Sequence, residues 1–113
     1  MKIYYTSQRN EKLFTSEKKL KKKFGKDCAE IIMRRIVLFS ALDNMNDLYE
    51  ALAKPRLHFH PLTANYQGKY AVRVNAKLRI ILEPYPEESD ETVDDLKTIH
   101  AMILLEIEDY HEN

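Results

Sequence analysis

The sequence predicts a small α+β domain in which an N-terminal strand and helices pack on an antiparallel sheet of about four strands. Apolar residues between positions 10 and 52 recur mainly at helical spacing. Those between positions 70 and 107 alternate with polar or small residues, which is the pattern of half-buried strands. A chain of 113 residues is the right length for one such domain, so we expect residues 1–113 to fold around a single core.

The first elements follow from short local patterns. Lys2–Tyr5 predicts a short strand at an edge of the sheet, and residues 10–14 predict the start of a first helix. Ser16 is a good N-cap for a second helix, because its hydroxyl accepts the free backbone N–H groups of the first turn. Gly25 is a good end for that helix, because glycine tolerates a left-handed backbone.

The longest predicted helix begins at Asp27, which with Glu30 resembles a capping box. An apolar stripe at helical spacing follows and is expected to cover the sheet. It consists of Ala29, Ile32, Met33, Ile36 and either Phe39 or Ser40, widened by Ile31, Val37, Leu38 and Leu42. Met45–Leu52 predicts a further short helix.

Residues 60–82 predict a β-hairpin around which the other elements are arranged. The alternating apolar residues are Tyr70, Val72 and Val74 on one strand and Leu78, Ile80 and Leu82 on the next. Both sets share a face only if Val74 pairs with Leu78, which leaves residues 75–77 as a three-residue turn. The same register places Arg73 directly opposite Arg79. Two like charges in this position are unfavourable, so we expect either an anion between them or pairing with water, Glu83 and other carboxylates.

The remaining segments are predicted more briefly. Residues 56–59 predict a short strand, and the acidic stretch 83–95 is the best candidate for a mobile loop. Residues 94–97 favour one helical turn. Residues 99–107 alternate over a long and very apolar strand, which we expect near the centre of the sheet.

The charge is divided between two parts of the chain. Residues 1–79 hold 17 Lys and Arg against 7 Asp and Glu, whereas residues 80–113 hold 1 against 11. The net charges of +10 and −10 indicate either a polyanion partner for the basic part or mutual neutralisation within the fold. The five lysines in residues 18–23 have the same two interpretations, as contacts to RNA phosphates or as the solvated face of a helix.

Several classes of site are not favoured. The only cysteine, Cys28, is expected to be an ordinary helical thiol. The pair His58 and His60 has no nearby cysteine or acidic partner, so we predict no metal site and no cofactor. The chain has no apolar run of membrane-spanning length and no apolar N-terminal signal segment, so we expect a cytoplasmic protein without membrane contact.

Four segments together resemble the RelE/ParE superfamily of toxins, and most closely its HigB-type or killer-protein branch. They are HPLT at residues 60–63, NYQGKYAVRVN at 65–75, LRII at 78–81 and EIEDYH at 106–111. The resemblance covers most of the chain, because the N-terminal layout of one strand and then helices also matches.

The resemblance implies a RelE-like fold and the toxin of a type II toxin–antitoxin system. For this chain it further implies a metal-independent endoribonuclease that cuts mRNA on the ribosome. It also implies a helix-turn-helix antitoxin as partner, with operator DNA bound only through that antitoxin.

RNA cleavage by internal transfer needs a base, positive donors at the phosphate and an acid, and histidine suits proton transfer near neutral pH. His60 and His111 are the candidates for base and acid, in either order, and Arg79 for stabilising the phosphate. By resemblance, Tyr110 stacks on a base or relays a proton, and Asp109 orients a histidine or the substrate. The predicted RNA-contacting residues are Arg73, Lys69, Lys77 and Tyr66.

Two alternatives stay open. One is a non-catalytic inhibitor of DNA gyrase on the same scaffold, as in ParE-like relatives, and the other is a binding module active only with its antitoxin. The loop also departs from the family, because Tyr66 and Gln67 occupy positions that are frequently basic. The loss of those charges weakens phosphate binding, although Tyr66 is suited to stacking on an RNA base.

Overall fold

The structure is a computed structural model that describes residues 1–52, 60–62 and 66–109. Its helices are α1 (Gln8–Phe14), α2 (Glu17–Phe24), α3 (Lys26–Ala41) and α4 (Met45–Leu52), with a 3-10 helix at Leu96–Thr98. Its strands are β1 (Lys2–Tyr5), β2 (His60–Pro61), β3 (Tyr70–Arg73), β4 (Leu78–Pro84) and β5 (Ala101–Asp109). The strand predicted at residues 56–59 lies outside the described residues.

The strands form one sheet in the order β1-β5-β4-β3-β2. The predicted α+β class is confirmed, and β1 lies at the predicted edge. Strands β2 to β5 pair antiparallel, but β1 runs parallel to β5, so the sheet is mixed. Alternation in a sequence reports which face of a strand is apolar and carries no information on the direction of its neighbour, so this pairing was not predictable from the pattern.

Serine side chains begin both of the first two helices. Ser7 Oγ accepts the backbone N–H of Asn10 at 3.1 Å, and Ser16 Oγ accepts that of Lys19 at 3.2 Å. The cap predicted at Ser16 is therefore confirmed. Gly25 ends α2 with a φ of 87°, a backbone region that favours glycine.

The predicted start of α3 at Asp27 is wrong by one residue. Gly25 donates its N–H to the carbonyl of Lys21 at 2.9 Å and accepts the N–H of Ala29 at 3.0 Å, so one glycine both ends α2 and begins α3. Asp27 consequently lies in the first turn of α3 and makes no capping bond there. Its carboxylate still stabilises the positive end of the helix dipole.

The core lies between the helices and one face of the sheet. Its fully buried members come from α2, α3, α4 and from the sheet, and they include Leu20, Ile32, Phe39, Leu48, Ile80, Leu82, Met102 and Leu104. Of the stripe predicted for α3, Ala29, Ile32 and Phe39 are buried. Val37 is 68% exposed, so its assignment to the stripe is wrong. Its position on the helix turns it to solvent, on the side away from Ile32 and Phe39.

A β-bulge interrupts β5. The register passes from the pair Leu82–Leu104 to the pair Ile81–Glu106, which leaves Leu105 as an extra residue on β5. Strand β1 pairs with β5 only as far as Leu104. Beyond that point the side chain of Asn10 replaces it, donating from Nδ2 to the carbonyl of Leu104 at 3.3 Å and to that of Leu105 at 2.8 Å.

The acidic segment after β4 is held against β1. Tyr4 donates its hydroxyl to Glu87 Oε2 at 2.6 Å, and its ring lies 5.0 Å from that of Tyr85 in an edge-on arrangement. The helical turn predicted at residues 94–97 is observed as the 3-10 helix at Leu96–Thr98, where Asp95 accepts the N–H of Lys97 at 3.1 Å. Within the described ranges, no helix combines the length and apolar character needed to cross a membrane.

Candidate functional site

The hairpin of β3 and β4 has the register that the alternation predicts. Val74 donates its N–H to the carbonyl of Leu78 at 2.9 Å, and Arg73 lies directly opposite Arg79. The turn at residues 75–77 is closed by Asn75, whose Oδ1 accepts the N–H groups of Lys77 at 2.7 Å and Leu78 at 2.8 Å. Both arginines therefore belong to the sheet face that points away from the helices.

The sheet brings a carboxylate to this arginine pair. Glu108 on β5 lies directly opposite Arg79 on β4, and Arg79 Nη2 donates to Glu108 Oε1 at 2.8 Å. Both side chains are largely shielded, with exposed fractions of 19% for Arg79 and 22% for Glu108. Of the two sequence-based expectations for the arginine pair, pairing with a carboxylate is the one that the structure supports for Arg79. The carboxylate is Glu108 and not Glu83.

Sequence reasoning missed Glu108 because the bulge decides its position. Regular pairing beyond Leu104 would place Arg79 opposite Ile107, whereas the extra residue shifts Glu108 into that place. Arg73, Arg79 and Glu108 thus form one row across three neighbouring strands. The acidic end of the last strand was visible in the sequence, but its alignment with Arg79 depends on one unpaired residue.

Tyr66 and Lys69, from the loop before β3, lie close to this row. Hydrogen bonding to Glu108 and its negative charge raise the pKa of the Tyr66 phenol, with a further contribution from Glu106 and an opposing one from Arg79. Lys69 Nζ lies 5.6 Å from the centre of the Tyr66 ring, within cation–π distance. The two predicted RNA-contacting residues of this loop are therefore close to the charged row.

For three other predicted site residues, the structure gives a position in the hairpin turn or in a strand. Lys77 is exposed at the tip of the hairpin turn, and Asp109 is exposed at the end of β5, opposite Leu78. His60 lies in β2 opposite Ala71, two strands from Arg79. Tyr110 and His111 lie outside the described residues, so their roles stay predictions.

The lysines of α2 form a solvated face. Lys18, Lys19, Lys22 and Lys23 are exposed, whereas Leu20 on the same helix is fully buried in the core. Lys21 pairs with Glu17 at 2.7 Å across one helical turn. This arrangement agrees with the structural interpretation of the lysine run, and contact with RNA phosphates stays a prediction.

The row combines two guanidinium groups and one carboxylate. Guanidinium groups bind phosphate through paired N–H donors and keep their charge at all physiological pH values. The chemistry of Arg73 and Arg79 therefore suits a phosphate ligand, and Arg79 already donates to Glu108. In the described part of the chain, no three His, Cys, Asp or Glu side chains come together in a way that would hold a metal ion.

The comparison with solved structures identifies the same architecture in other proteins, one of them a toxin. The chain has the RelE-like fold. A YoeB/ParE toxin from Agrobacterium tumefaciens matches with a TM-score of 0.50 and 12% identity, covering 98% of this chain and 100% of the other. YafQ from E. coli strain BL21(DE3) matches with a TM-score of 0.50 and 18% identity, over 95% of this chain and 90% of YafQ.

A mutant of E. coli YafQ matches with a TM-score of 0.52 and 17% identity over the same fractions of the two chains. At these identities the likeness is one of fold. No family model matches the sequence, and no curated protein matches it. The likeness agrees with the RelE-like fold that the sequence segments imply, and it does not distinguish the HigB-type branch.

Proposed function

We propose that this chain is the toxin of a type II toxin–antitoxin pair and acts as a metal-independent endoribonuclease on mRNA. The observation that carries the proposal is the arginine pair on the sheet face that points away from the helices. Arg73 on β3 and Arg79 on β4 lie directly opposite each other in the hairpin. In the sheet, the hairpin lies between β2, which contains His60, and β5, which ends at Asp109. A phosphate group is the ligand that suits such a pair.

The spacing of the strands suits a substrate the size of a nucleotide. Neighbouring strands are about 4.8 Å apart and residues rise about 3.4 Å along a strand. His60 lies two strands from Arg79. It pairs with Ala71, which pairs with Ile81, so His60 is offset from Arg79 by two residues along the strand direction. The two backbone positions are therefore separated by roughly 12 Å, a span that a histidine and an arginine can bridge toward one phosphate group.

The proposed reaction is internal transfer at a phosphodiester. One of His60 and His111 removes the proton of the 2′-hydroxyl, and the 2′-oxygen then attacks phosphorus. Arg79, supported by Arg73, stabilises the negative charge that develops on the phosphate oxygens. The other histidine protonates the leaving 5′-oxygen, with Asp109 and Tyr110 as orienting or stacking groups.

The remaining assignments follow from the same resemblance. We propose that cleavage takes place on the ribosome in the cytoplasm, and that a helix-turn-helix antitoxin neutralises the chain and carries it to operator DNA. Lys69, Lys77 and Tyr66 contact the RNA beside the arginine pair. Tyr66 replaces a frequently basic residue and offers its ring to a base, since stacking compensates for lost charge in single-stranded RNA recognition.

The test is induced expression of the chain without a partner, followed by mapping of mRNA 5′ ends. We expect new 5′ ends and growth arrest with the native chain. Neither is expected with His111→Ala or with Arg79→Ala. His100→Ala is the matched control, because His100 contacts the carbonyl of Asp43 at 3.1 Å, before the start of β5, and is outside the proposed site.

Each other outcome has a definite meaning. New 5′ ends that persist in both site variants would contradict the site assignment while keeping the activity. Growth arrest without new 5′ ends would contradict the ribonuclease proposal and favour a gyrase inhibitor, to be measured by loss of supercoiling with purified gyrase. Tight binding of an antitoxin without arrest or cleavage would favour the binding module.

A further inference from the structure

The relation between Glu108 and Arg79 has a consequence for ligand binding. The guanidinium that the proposed function assigns to the phosphate already donates to a carboxylate at 2.8 Å. A carboxylate and a phosphate present similar pairs of oxygen acceptors to a guanidinium. The two groups therefore compete for the same N–H donors of Arg79.

We infer that Glu108 is an affinity- and specificity-determining residue of this site, which occupies Arg79 until the phosphate of an RNA strand displaces it. The inference rests on the proposed function, because it takes RNA phosphate as the ligand of Arg79. Glu108 is not assigned a proton-transfer role here. Its contribution is to weaken anion binding at Arg79, so that only a polyanion that binds strongly enough to displace Glu108 engages Arg79.

The surroundings of Glu108 support a stable competitor. Its backbone is fixed between β4 and the bulge, where Asn10 holds the carbonyl of Leu105 at 2.8 Å. The exposed fraction of the Glu108 side chain is only 22%, so solvent screens the pair with Arg79 incompletely. Tyr66 is near enough for the Glu108 carboxylate to raise the pKa of its phenol.

Competition of this kind distinguishes between anions. A single small anion gains one interaction with Arg73 and must also replace Glu108 at Arg79. An RNA strand makes several phosphate contacts at once, through Arg73, Lys69 and Lys77 as well, and each adds to the binding free energy. We therefore expect Glu108 to exclude free phosphate from Arg79 and to admit an oligonucleotide.

The test uses the full chain and a fluorescein-labelled oligonucleotide of 2′-O-methyluridines, which binds as single-stranded RNA does and cannot be cleaved by internal transfer. Binding is measured by fluorescence anisotropy at several salt concentrations. Glu108→Gln removes the competing charge and is expected to tighten binding about five- to tenfold. The slope of log affinity against log salt should steepen by roughly 0.7, as for one additional phosphate contact.

Glu106→Gln is the matched control. Glu106 lies on the same strand, two residues away and opposite Ile81, and its substitution changes the net charge by the same amount. We expect it to tighten binding less than twofold, because the carboxylate is exposed and faces an isoleucine. Glu108→Asp, which keeps the charge on a shorter side chain, should lie between the native chain and Glu108→Gln.

The gain in Glu108→Gln must also depend on Arg79. In an Arg79→Ala background, Glu108→Gln is expected to improve binding no more than Glu106→Gln does. Equal or weaker binding of Glu108→Gln relative to Glu106→Gln would overturn the inference, as would a gain that survives Arg79→Ala. Urea unfolding of every variant ensures that folded proteins are compared, and Glu108→Asp keeps the test valid if Glu108→Gln unfolds.

Failure of the proposed function is measured separately. Absence of RNA cleavage by the native chain, together with the expected anisotropy pattern, would overturn the ribonuclease activity and leave Glu108 as a competitor for phosphate at Arg79. Absence of oligonucleotide binding by the native chain and by Glu108→Gln would overturn the inference itself.

Discussion

Asn10 donates its side-chain N–H to the backbone carbonyl of Leu105 at 2.8 Å, although 95 positions of sequence separate them. Leu105 is the extra residue of the β5 bulge. Asn10 also occupies the third position of α1, where its backbone N–H is bound by Ser7. The start of α1 is thereby fixed to the point at which β5 changes register.

Asn10→Ala should destabilise the protein by about 1–3 kcal/mol, because the carbonyls of Leu104 and Leu105 lose a partly buried donor. The measurement is the free energy of unfolding in urea. Asn46→Ala is the control, since Asn46 donates to Glu50 at the surface of α4 and the loss of this bond should cost less than about 0.5 kcal/mol. Equal losses in the two variants would contradict a structural role for Asn10 at the bulge.

The Tyr66 phenol reports the presence of the Glu108 carboxylate. Glu108 makes the largest contribution, and Glu106 a smaller one, to raising the pKa of Tyr66 above its usual 10.0. Glu108→Gln should therefore lower the pKa of Tyr66. The measurement is the ultraviolet titration of tyrosine, with Tyr66→Phe used to identify the contribution of this ring among the 7 tyrosines. An unchanged titration of Tyr66 in Glu108→Gln would contradict the contact.

The sign of the pH dependence follows from the same shift. A pKa that is raised in the folded state means that the folded protein holds its proton more tightly than the unfolded chain. This contribution to stability is present below pH 10 and is lost as the pH rises through the folded-state pKa. Stability of the native chain should therefore fall above that pH, and the fall should be smaller in Glu108→Gln.

Leu104 on β5 is fully buried and faces Leu82. Leu104→Ala should cost about 2–5 kcal/mol, because it loses the transfer free energy of the side chain and leaves a cavity under the helices. Val37→Ala should change stability by less than about 0.5 kcal/mol, since Val37 is exposed on α3. Urea unfolding of both variants checks the two values. A large loss of stability in Val37→Ala would mean that Val37 is covered in solution.

Gly25 has a φ of 87° and a ψ of 165°, a backbone region that is available almost only to glycine. Gly25→Ala should cost about 1–3 kcal/mol through backbone strain. Steric contact contributes nothing, since a Cβ at this position would meet no atom within 4 Å. Unchanged stability of this variant by thermal unfolding would show that α2 and α3 can be joined by another conformation.

The hairpin is the part of the site that was most fully predictable. The alternation of Tyr70, Val72 and Val74 with Leu78, Ile80 and Leu82 permits one register once both sets must face the core. That register places Arg73 opposite Arg79, as observed. The prediction succeeded because a side-chain period of two and a short turn leave no second solution that buries both apolar sets.

The partner of Arg79 was not predictable in the same way. The alternation of residues 99–107 continues without a break in the sequence, but the folded strand inserts Leu105 as a bulge and changes the facing residues beyond it. Nothing in the apolar pattern marks that position, because Leu104 and Leu105 are both leucines. The donor that stabilises the bulge, Asn10, is also distant in sequence.

The sequence by itself determined the α+β class, the caps at Ser16 and Gly25, and the opposed arginines of the hairpin. Each of these depends on residues that are near one another along the chain, where spacing and backbone preference act directly. Only the tertiary structure decided that β1 runs parallel to β5 and that Glu108 neutralises Arg79. Both depend on how β5 aligns with strands distant in sequence, and that alignment is fixed by long-range hydrogen bonds and core packing.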